Sequence, residues 1–547
     1  MNVPHISEIR IRNLAPLPLA AGAIVIIVGP NDGGKSTFLR DVAQSTQSQL
    51  ELKWIEGVSW GLGTQEDFQA YIAHEFEEDT DNRFIRHRSS GARIIKSDVD
   101  GFYSTHKTSY PDFLIKLLDA SSRIGLADKT DSPDVTAKTT SHPYHRFFYE
   151  ADTEDSFSQK IESAFGLTLR VNRTGKSTGA FLGKSPIGDR LSTEYELEVL
   201  SRMEPLQKAG DGIRSYTGIL LNASAASRPV TLIDEPEAFL HPPQARKLGK
   251  ELAEEAQRTS QQTFVATHSS EIIQGALTSS NPDVHLLYLN RKGDTKAHYI
   301  PRHVVKDFSS SPFLAQTNAL DALFYKRTII CEAPADITFF RWALASQGLD
   351  DLAHDSFWLP SYGKSAIPSM VADISKLGVQ VACVFDIDVL LSSEILGAIS
   401  DQKGINFTQL QPKLKALADG IRVPPAAETL QKISELVNEL TLEEGDDDSA
   451  SNTMREIRKQ TSALGKSWYL KSNGIGAIPK GQLRAEIDVL LAQLGTAQVV
   501  VLREGEIENY APHIGRHGPA WVRQVIETSG VSEADLARLV VNFKPLV

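Results

Sequence analysis

Hydrophobic and polar positions alternate along this chain in blocks that read as strand followed by helix. Residues 5 to 45 predict a strand, a second strand at the unbroken apolar run Ile24–Val28, a glycine-rich loop and a helix. A long middle region, about 50 to 205, mixes polar loops with helical and strand-like segments. Then "PVTLIDEPEAFLHPPQARKLGKELAEEAQ" and "QQTFVATHSSEII" each predict a strand that runs into a helix. A polar break follows near "RKGDTKAHYIPRHVVKDFSSSP". Beyond it the alternation resumes, with a strand at 327–331, a helix at about 335–347, a strand at 355–360, a helix at 364–377 and a strand at 380–385. This order predicts an α/β protein with parallel sheets. Residues 405 to 495 read as mainly helical, interrupted by the acidic "EEGDDDSAS", which suits a solvated loop. A last strand in "TAQVVVLREG" and a helical tail end the pattern. The expected division is 1–315, with an inserted region at about 50–205 that is a place for dimer contacts, and 320–547, with a helical insertion at about 405–495.

Chemistry enters at the turns. Ile24–Val28 delivers "GPNDGGKST", which is Gly29-x-x-x-x-Gly34-Lys35-Ser36, directly ahead of a helix. Glycines let the backbone turn so that amide N–H groups face phosphates, and Asn31, Gly33 and Thr37 complete the loop. Lys35 is placed to reach the β- and γ-phosphates of ATP, and Ser36 to ligate Mg²⁺. In "TLIDEPEAF" a strand ends at Asp234, suited to hold that Mg²⁺ through water, and Glu235 follows as a base for the attacking water. A third strand, in "FVATHSS", ends at His268, in position to sense the γ-phosphate. A histidine there is also at home as a packed residue, and the order of the three motifs favours the nucleotide.

A second set of acids follows. "RTIICEAPADITFF" ends a strand on Glu332 and starts a helix near Asp336, which capping alone would explain. About fifty residues on, "VQVACVFDIDVL" ends a strand on Asp386 and Asp388. Consecutive strands of a parallel sheet present their C-terminal ends on one rim. Glu332, Asp386 and Asp388 are therefore expected to meet, with Asp336 close by. Converging carboxylates raise one another's pKa unless cations intervene, and Mg²⁺ or Mn²⁺ are the natural occupants.

Composition narrows the classes. The 57 Lys and Arg against 69 Asp and Glu leave a net charge of −12, so any nucleic-acid surface has to be local and helped by metal ions. Local basic runs exist at Arg83, Arg86, Arg88, Arg93 and Lys96, and at Arg455, Arg458, Lys459, Lys466 and Lys471 beside Trp468 and Tyr469. Each reads as a DNA contact or as an exposed basic face. No apolar run is long enough to span a membrane, and the first residues lack a signal peptide's apolar core. Cys331 and Cys383 lie in apolar runs and read as buried thiols in a reducing cytoplasm.

The Gly29–Ser36 loop, the Asp234-Glu235 pair and the His268 strand together resemble the ATP-binding-cassette class, in particular SMC-like ATPases. That resemblance implies a signature motif completing a partner subunit's ATP site. The matching "KAGDGIRSYTGIL" carries Gly210, Asp211, Gly212 and Arg214 but lacks the usual Ser-Gly-Gly, so it reads as a degenerate signature or a simple helix start. A signature implies a homodimer or higher homo-oligomer. Glu332, Asp336, Asp386 and Asp388, with Gly363, Lys364, Glu506 and Glu508, resemble a Toprim domain, a Rossmann-like parallel sheet. A cassette ATPase followed by a Toprim domain is the layout of the OLD (overcoming lysogenization defect) family. The resemblance implies an ATP-regulated endonuclease or nickase for DNA, with Mg²⁺ or Mn²⁺, two ions by that layout, at the carboxylates. It further implies an antiviral defence effector that sometimes works with another defence component. A non-cutting, ATP-driven clamp or sensor and a nuclease for tRNA or other RNA are the alternatives. One departure stands out: Ala333 and Pro334 replace the usual glycine after the first glutamate.

Overall fold

The structure is a computed structural model. It describes residues 3–47, 51–88, 93–108, 113–134, 142–225, 228–291, 296–310, 318–438, 453–454, 457, 461, 465–515 and 517–547. The chain divides into two compact units, Met1–Phe324 and Tyr325–Val547.

In the first unit, Ile24–Val28 and Gln262–Ala266 are buried at every position. Strands of this kind belong in the middle of a parallel sheet covered on both faces. The central sheet runs Lys296–Ile300, Val284–Asn290, Ile24–Val28, Gln262–Ala266, Val230–Asp234, Ile115–Leu118, with only the first pair antiparallel. Asp234 pairs with Ala266, and Ala266 with Ile27, so three neighbouring strands end together. A separate antiparallel sheet orders Leu17–Pro18, His5–Ile11 and Ile55–Gly61. The Gln262 amide ties it to the central sheet, accepting from Ile6 N and donating to Ile6 O, both at 2.8 Å.

Residues 50–205 are not one excursion from this core. Ile55–Gly61 belongs to the antiparallel sheet, and Ile115–Leu118 forms the edge of the central sheet beside Val230–Asp234. The remainder includes a hairpin of Phe76–Glu78, Phe84–His87 and Arg93–Ile95, and a small sheet of Thr168–Val171, Ala180–Gly183 and Glu204–Pro205.

The second unit holds four parallel strands in the order Ser356–Pro360, Arg327–Cys331, Val381–Asp386, Val499–Leu502. One face is packed by Phe339, Phe340, Trp521 and Phe543, all buried. The helix expected at 364–377 begins as a 3₁₀ turn, Lys364–Ala366, and becomes α-helical over Ile367–Ser375. Pro368, which lacks an N–H, is accommodated in the first turn of that helix. After Asp386 the chain leaves the sheet for helices Ser393–Lys403, Phe407–Gly420, Ala426–Asn438, Lys466–Asn473 and Gln482–Thr496 before returning at Val499. Cys331 and Cys383 are buried free thiols on adjacent strands. The acidic 443–451 segment lies outside the described residues.

Candidate functional site

The loop that leaves Ile24–Val28 turns on glycines for steric reasons. Gly34 has φ 94, and a Cβ there would lie 2.5 Å from the Trp54 indole. A Cβ on Gly29 would lie 2.1 Å from Leu289 O. The Lys35–Gln44 helix follows at once, so its first amides open onto this loop. Lys35 is buried, and its ammonium donates to the carbonyls of Gly29 (2.9 Å) and Pro30 (3.0 Å). Burial pulls its pKa down to about 8, against the opposing pull of Glu235 and Asp234. Asp234 is raised by burial and relieved by the Ser36 hydroxyl. The loop lysine, the serine and the Asp234 strand thus come together on one rim. Asn31 is exposed there, and Ser36 and Thr37 are half-buried.

Glu235 follows with φ 50, in the left-handed region. Its Oε1 lies 3.8 Å from His268 Nε2. Burial, then Lys35, lowers the His268 pKa to about 4, so this imidazole is neutral at physiological pH. The backbone N–H of His268 donates to Glu237 at 2.6 Å, a contact with no counterpart in the motif reading. Gly212 sits in the first turn of the Asp211–Ala225 helix, where a Cβ would lie 2.5 Å from Phe239 O. Arg214 pairs with Asp128 and Asp211. Within one chain these residues have local packing roles.

The second unit gathers carboxylates at its strand ends. Asp386 N–H donates to Glu332 Oε1 at 3.4 Å. Asp336 Oδ2 accepts from Ala333 N at 2.9 Å, so it caps its helix, and Asp386 and Glu508 are among the charges that perturb it. Capping and membership of the cluster are both true of this aspartate. Glu332 and Asp336 are each raised to about 7 by burial and then by Asp386, and Glu506 to about 7 by burial and then by Glu508. Asp386 is raised by burial as well. Asp388 is buried, and its Oδ2 takes Lys364 Nζ at 2.5 Å and Ser467 Oγ at 2.7 Å. Ala333 has φ −136, an extended conformation open to any residue, so the missing glycine leaves the turn unstrained.

The sequence pattern places Lys471 in a nucleic-acid contact or an exposed basic face. Instead it points into the acids, 2.7 Å from Asp386 Oδ2 and 3.6 Å from Glu506 Oε2. Ser467 and Lys471 are one helical turn apart on the Lys466–Asn473 helix, so one face meets both Asp388 and Asp386. Glycine permits this approach: a Cβ on Gly505 would lie 1.9 Å from Lys471 O. Glu506, Glu508 and His517 offer ligand atoms within 4.8 Å of one another, and His517 had no sequence signal. Lys364 at Asp388, and Lys471 at Asp386 and Glu506, are two cations set among six carboxylates. An oxygen-rich donor set carrying this excess of negative charge fits hard divalent cations.

The other basic run is charge-balanced. Arg86 and Arg93 both pair with Asp79, Arg83 with Asp81, Arg88 with Glu77 and Lys96 with Glu78. It is a cross-braced hairpin, not a free cationic face. Arg455, Arg458 and Lys459 lie outside the described residues. Among those residues, no helix is long and apolar enough to cross a membrane.

The phosphate loop, its lysine and the Asp234 rim define the first unit as a P-loop ATPase domain that binds ATP. A protein-family model described as "AAA domain, putative AbiEii toxin, Type IV TA system" matches residues 64–274. None of the curated proteins matches the sequence. Among solved structures, the SMC head domain from Thermotoga maritima is similar at 12% identity, covering 54% of this chain and 99% of its own, with a TM-score of 0.29. A Pyrococcus furiosus Smc head bound to the C-terminal domain of ScpA gives 12%, 56% and 98%, with a TM-score of 0.32. A dimeric ATP-binding cassette with ADP and Pi gives 12%, 55% and 99%, with a TM-score of 0.25.

Proposed function

We propose that the chain is an ATP-regulated, divalent-metal-dependent nuclease of OLD type that cuts or nicks DNA. The observation that carries this reading is the meeting of Glu332, Asp336, Asp386, Glu506 and Glu508 at the C-terminal ends of a parallel sheet, with several of them pushed towards neutrality. A bound divalent ion supplies a nucleophile at neutral pH and polarises a phosphodiester. The five carboxylates are the groups to hold it, with His517 beside Glu506 and Glu508, whereas Asp388, expected as a further ligand, has its Oδ2 taken up by Lys364 and Ser467. Lys364 holds Asp388 in place, and Lys471, paired with Asp386, is a cation at the rim available to a phosphate. In the ATPase unit, Glu235 is the base for the attacking water and His268 the γ-phosphate sensor. Gly212, in this reading, completes the ATP site of a second copy. A role in antiviral defence follows from the OLD-type layout, and the family model matching residues 64–274 carries the description "putative AbiEii toxin, Type IV TA system".

The Lys471–Asp386 ion pair favours one second reading, a clamp or sensor whose acidic rim does not cut. Plasmid, linear DNA and total tRNA incubated with Mg²⁺ or Mn²⁺ separate these readings. Cleavage of DNA that disappears in Glu332→Ala and Asp386→Ala is the expected result. Cleavage of tRNA alone would move the substrate to RNA. No cleavage of any substrate, with ATP turnover intact, would overturn the nuclease assignment.

A further inference from the structure

We infer that Arg123 is a positioning residue for ATP hydrolysis, holding the peptide that joins Asp234 to Glu235. Arg123 lies on the short Ala120–Gly125 helix that follows the edge strand Ile115–Leu118. That strand runs parallel to Val230–Asp234, with Leu118 opposite Ile233, so the helix starts beside the exit of the Asp234 strand. The arginine is fully buried, and its Nη1 donates at 2.7 Å to the carbonyl oxygen of Asp234. The N–H at the other edge of the same peptide, that of Glu235, donates at 2.8 Å to Ala266 O. One peptide plane is therefore gripped from both sides.

The grip has a consequence for Glu235, whose φ of 50 is a conformation that non-glycine residues enter at a cost. Rotation of the peptide would let Glu235 relax and carry its carboxylate off the rim. A buried guanidinium is an expensive prop, because Nε and Nη2 have no hydrogen-bond partner among the described residues. An apolar side chain would fill the space more cheaply. The charge instead faces Glu237, Glu235 and Asp234, the acids around the nucleotide site. Its backbone is fixed too, since a Cβ on Gly218 of the neighbouring helix would lie 1.8 Å from Arg123 O.

The inference rests on Glu235 as the base, and the test separates the two. Arg123→Met, Arg123→Lys and Glu235→Gln are compared with the wild type for kcat and for affinity to a fluorescent ATP analogue. Amide exchange across residues 230–240 is followed in nucleotide-free protein. Arg123→Met should lose about 10–100-fold in kcat while nucleotide affinity stays within about threefold. Exchange of the Glu235 amide should quicken by about tenfold or more while Ile24–Val28 stays protected. Arg123→Lys, which keeps one donor, should recover part of both. Wild-type kcat in Arg123→Met, or equal losses of affinity and turnover, would overturn the inference. If Arg123→Met does not fold, Arg123→Lys decides: lost turnover with unchanged exchange at Glu235 would also overturn it. Full turnover in Glu235→Gln removes the base assignment alone, and the exchange of the Glu235 amide still tests the grip.

Discussion

Glu506→Gln should stabilise the metal-free protein at pH 8 and not at pH 4.5. Burial, followed by the Glu508 charge, lifts Glu506 from its ordinary 4.5 to about 7. At about 1.4 kcal/mol per tenfold change in proton affinity, that rise corresponds to about 3 kcal/mol. The unfolded chain holds this proton only below about pH 4.5, whereas the folded chain keeps it to about 7. Stability present below pH 4.5 is therefore lost as the pH climbs through 7. Glutamine keeps the shape and carries no charge, so it escapes the loss. The opposing attraction of Lys471, 3.6 Å away, is already contained in that net rise, so the gain at pH 8 is about 3 kcal/mol. Native-state amide exchange of the buried Val499–Leu502 strand, with chelator present, reads it without assuming that both units unfold together. Excess Mg²⁺ should narrow the gap, because the wild type gains about 2.7 kcal/mol at a hundred times its dissociation constant and the variant gains less. A variant less stable than the wild type at pH 8 in chelator, or an effect equal at both pH values, would refute this electrostatic account.

Lys35→Ala should lower ATP turnover by about 100-fold or more, and unchanged hydrolysis would remove the lysine from the phosphate site. Gly34→Ala places a methyl against the Trp54 indole at φ 94, and should cost about 2–4 kcal/mol in thermal unfolding and weaken ATP binding in parallel. Asp79→Asn should open the Phe76–Ile95 hairpin to limited proteolysis, since Arg86 and Arg93 lose their shared partner. The Asp81 amide, then those arginines, hold Asp79 well below the usual carboxylate range. The hairpin's protection should therefore be present above that range and fall away as the pH drops through Asp79's lowered pKa.

The legible part of this protein was the part written in neighbouring residues. A P-loop is one contiguous turn, so Ile24–Val28 and its glycines carried both the strand and its chemistry. The acids at 332 and 386 were legible one step further out, because apolar runs place strand ends and a parallel sheet collects them on one rim. Lys471 escaped this logic. It reaches Asp386 from a helix 85 positions later in the numbering, and no local pattern separates a lysine pointing into acids from one facing water. Arg123 escaped for the same reason: its partner is a backbone carbonyl at Asp234, and a backbone leaves no mark in side-chain spacing.

The hairpin at 76–95 is a different kind of miss. Its arginines follow Glu77, Glu78, Asp79 and Asp81 by only a few positions, and antiparallel pairing of the strands folds one set onto the other. Counting cations over a window hid a pairing that strand register would have exposed. Ala333 is the reverse case. A glycine after Glu332 would give the turn a freedom that a side chain removes. The backbone there is extended, and the left-handed strain falls thirty residues on, at Tyr362 with φ 56 and the following Gly363 with φ 135. Gly363 N donates to Glu332 O at 3.1 Å, so the neighbouring strand's loop supplies the close approach to the glutamate. The conformational demand at this rim is met by a residue on another strand, and an alanine at 333 is no argument against the carboxylate beside it.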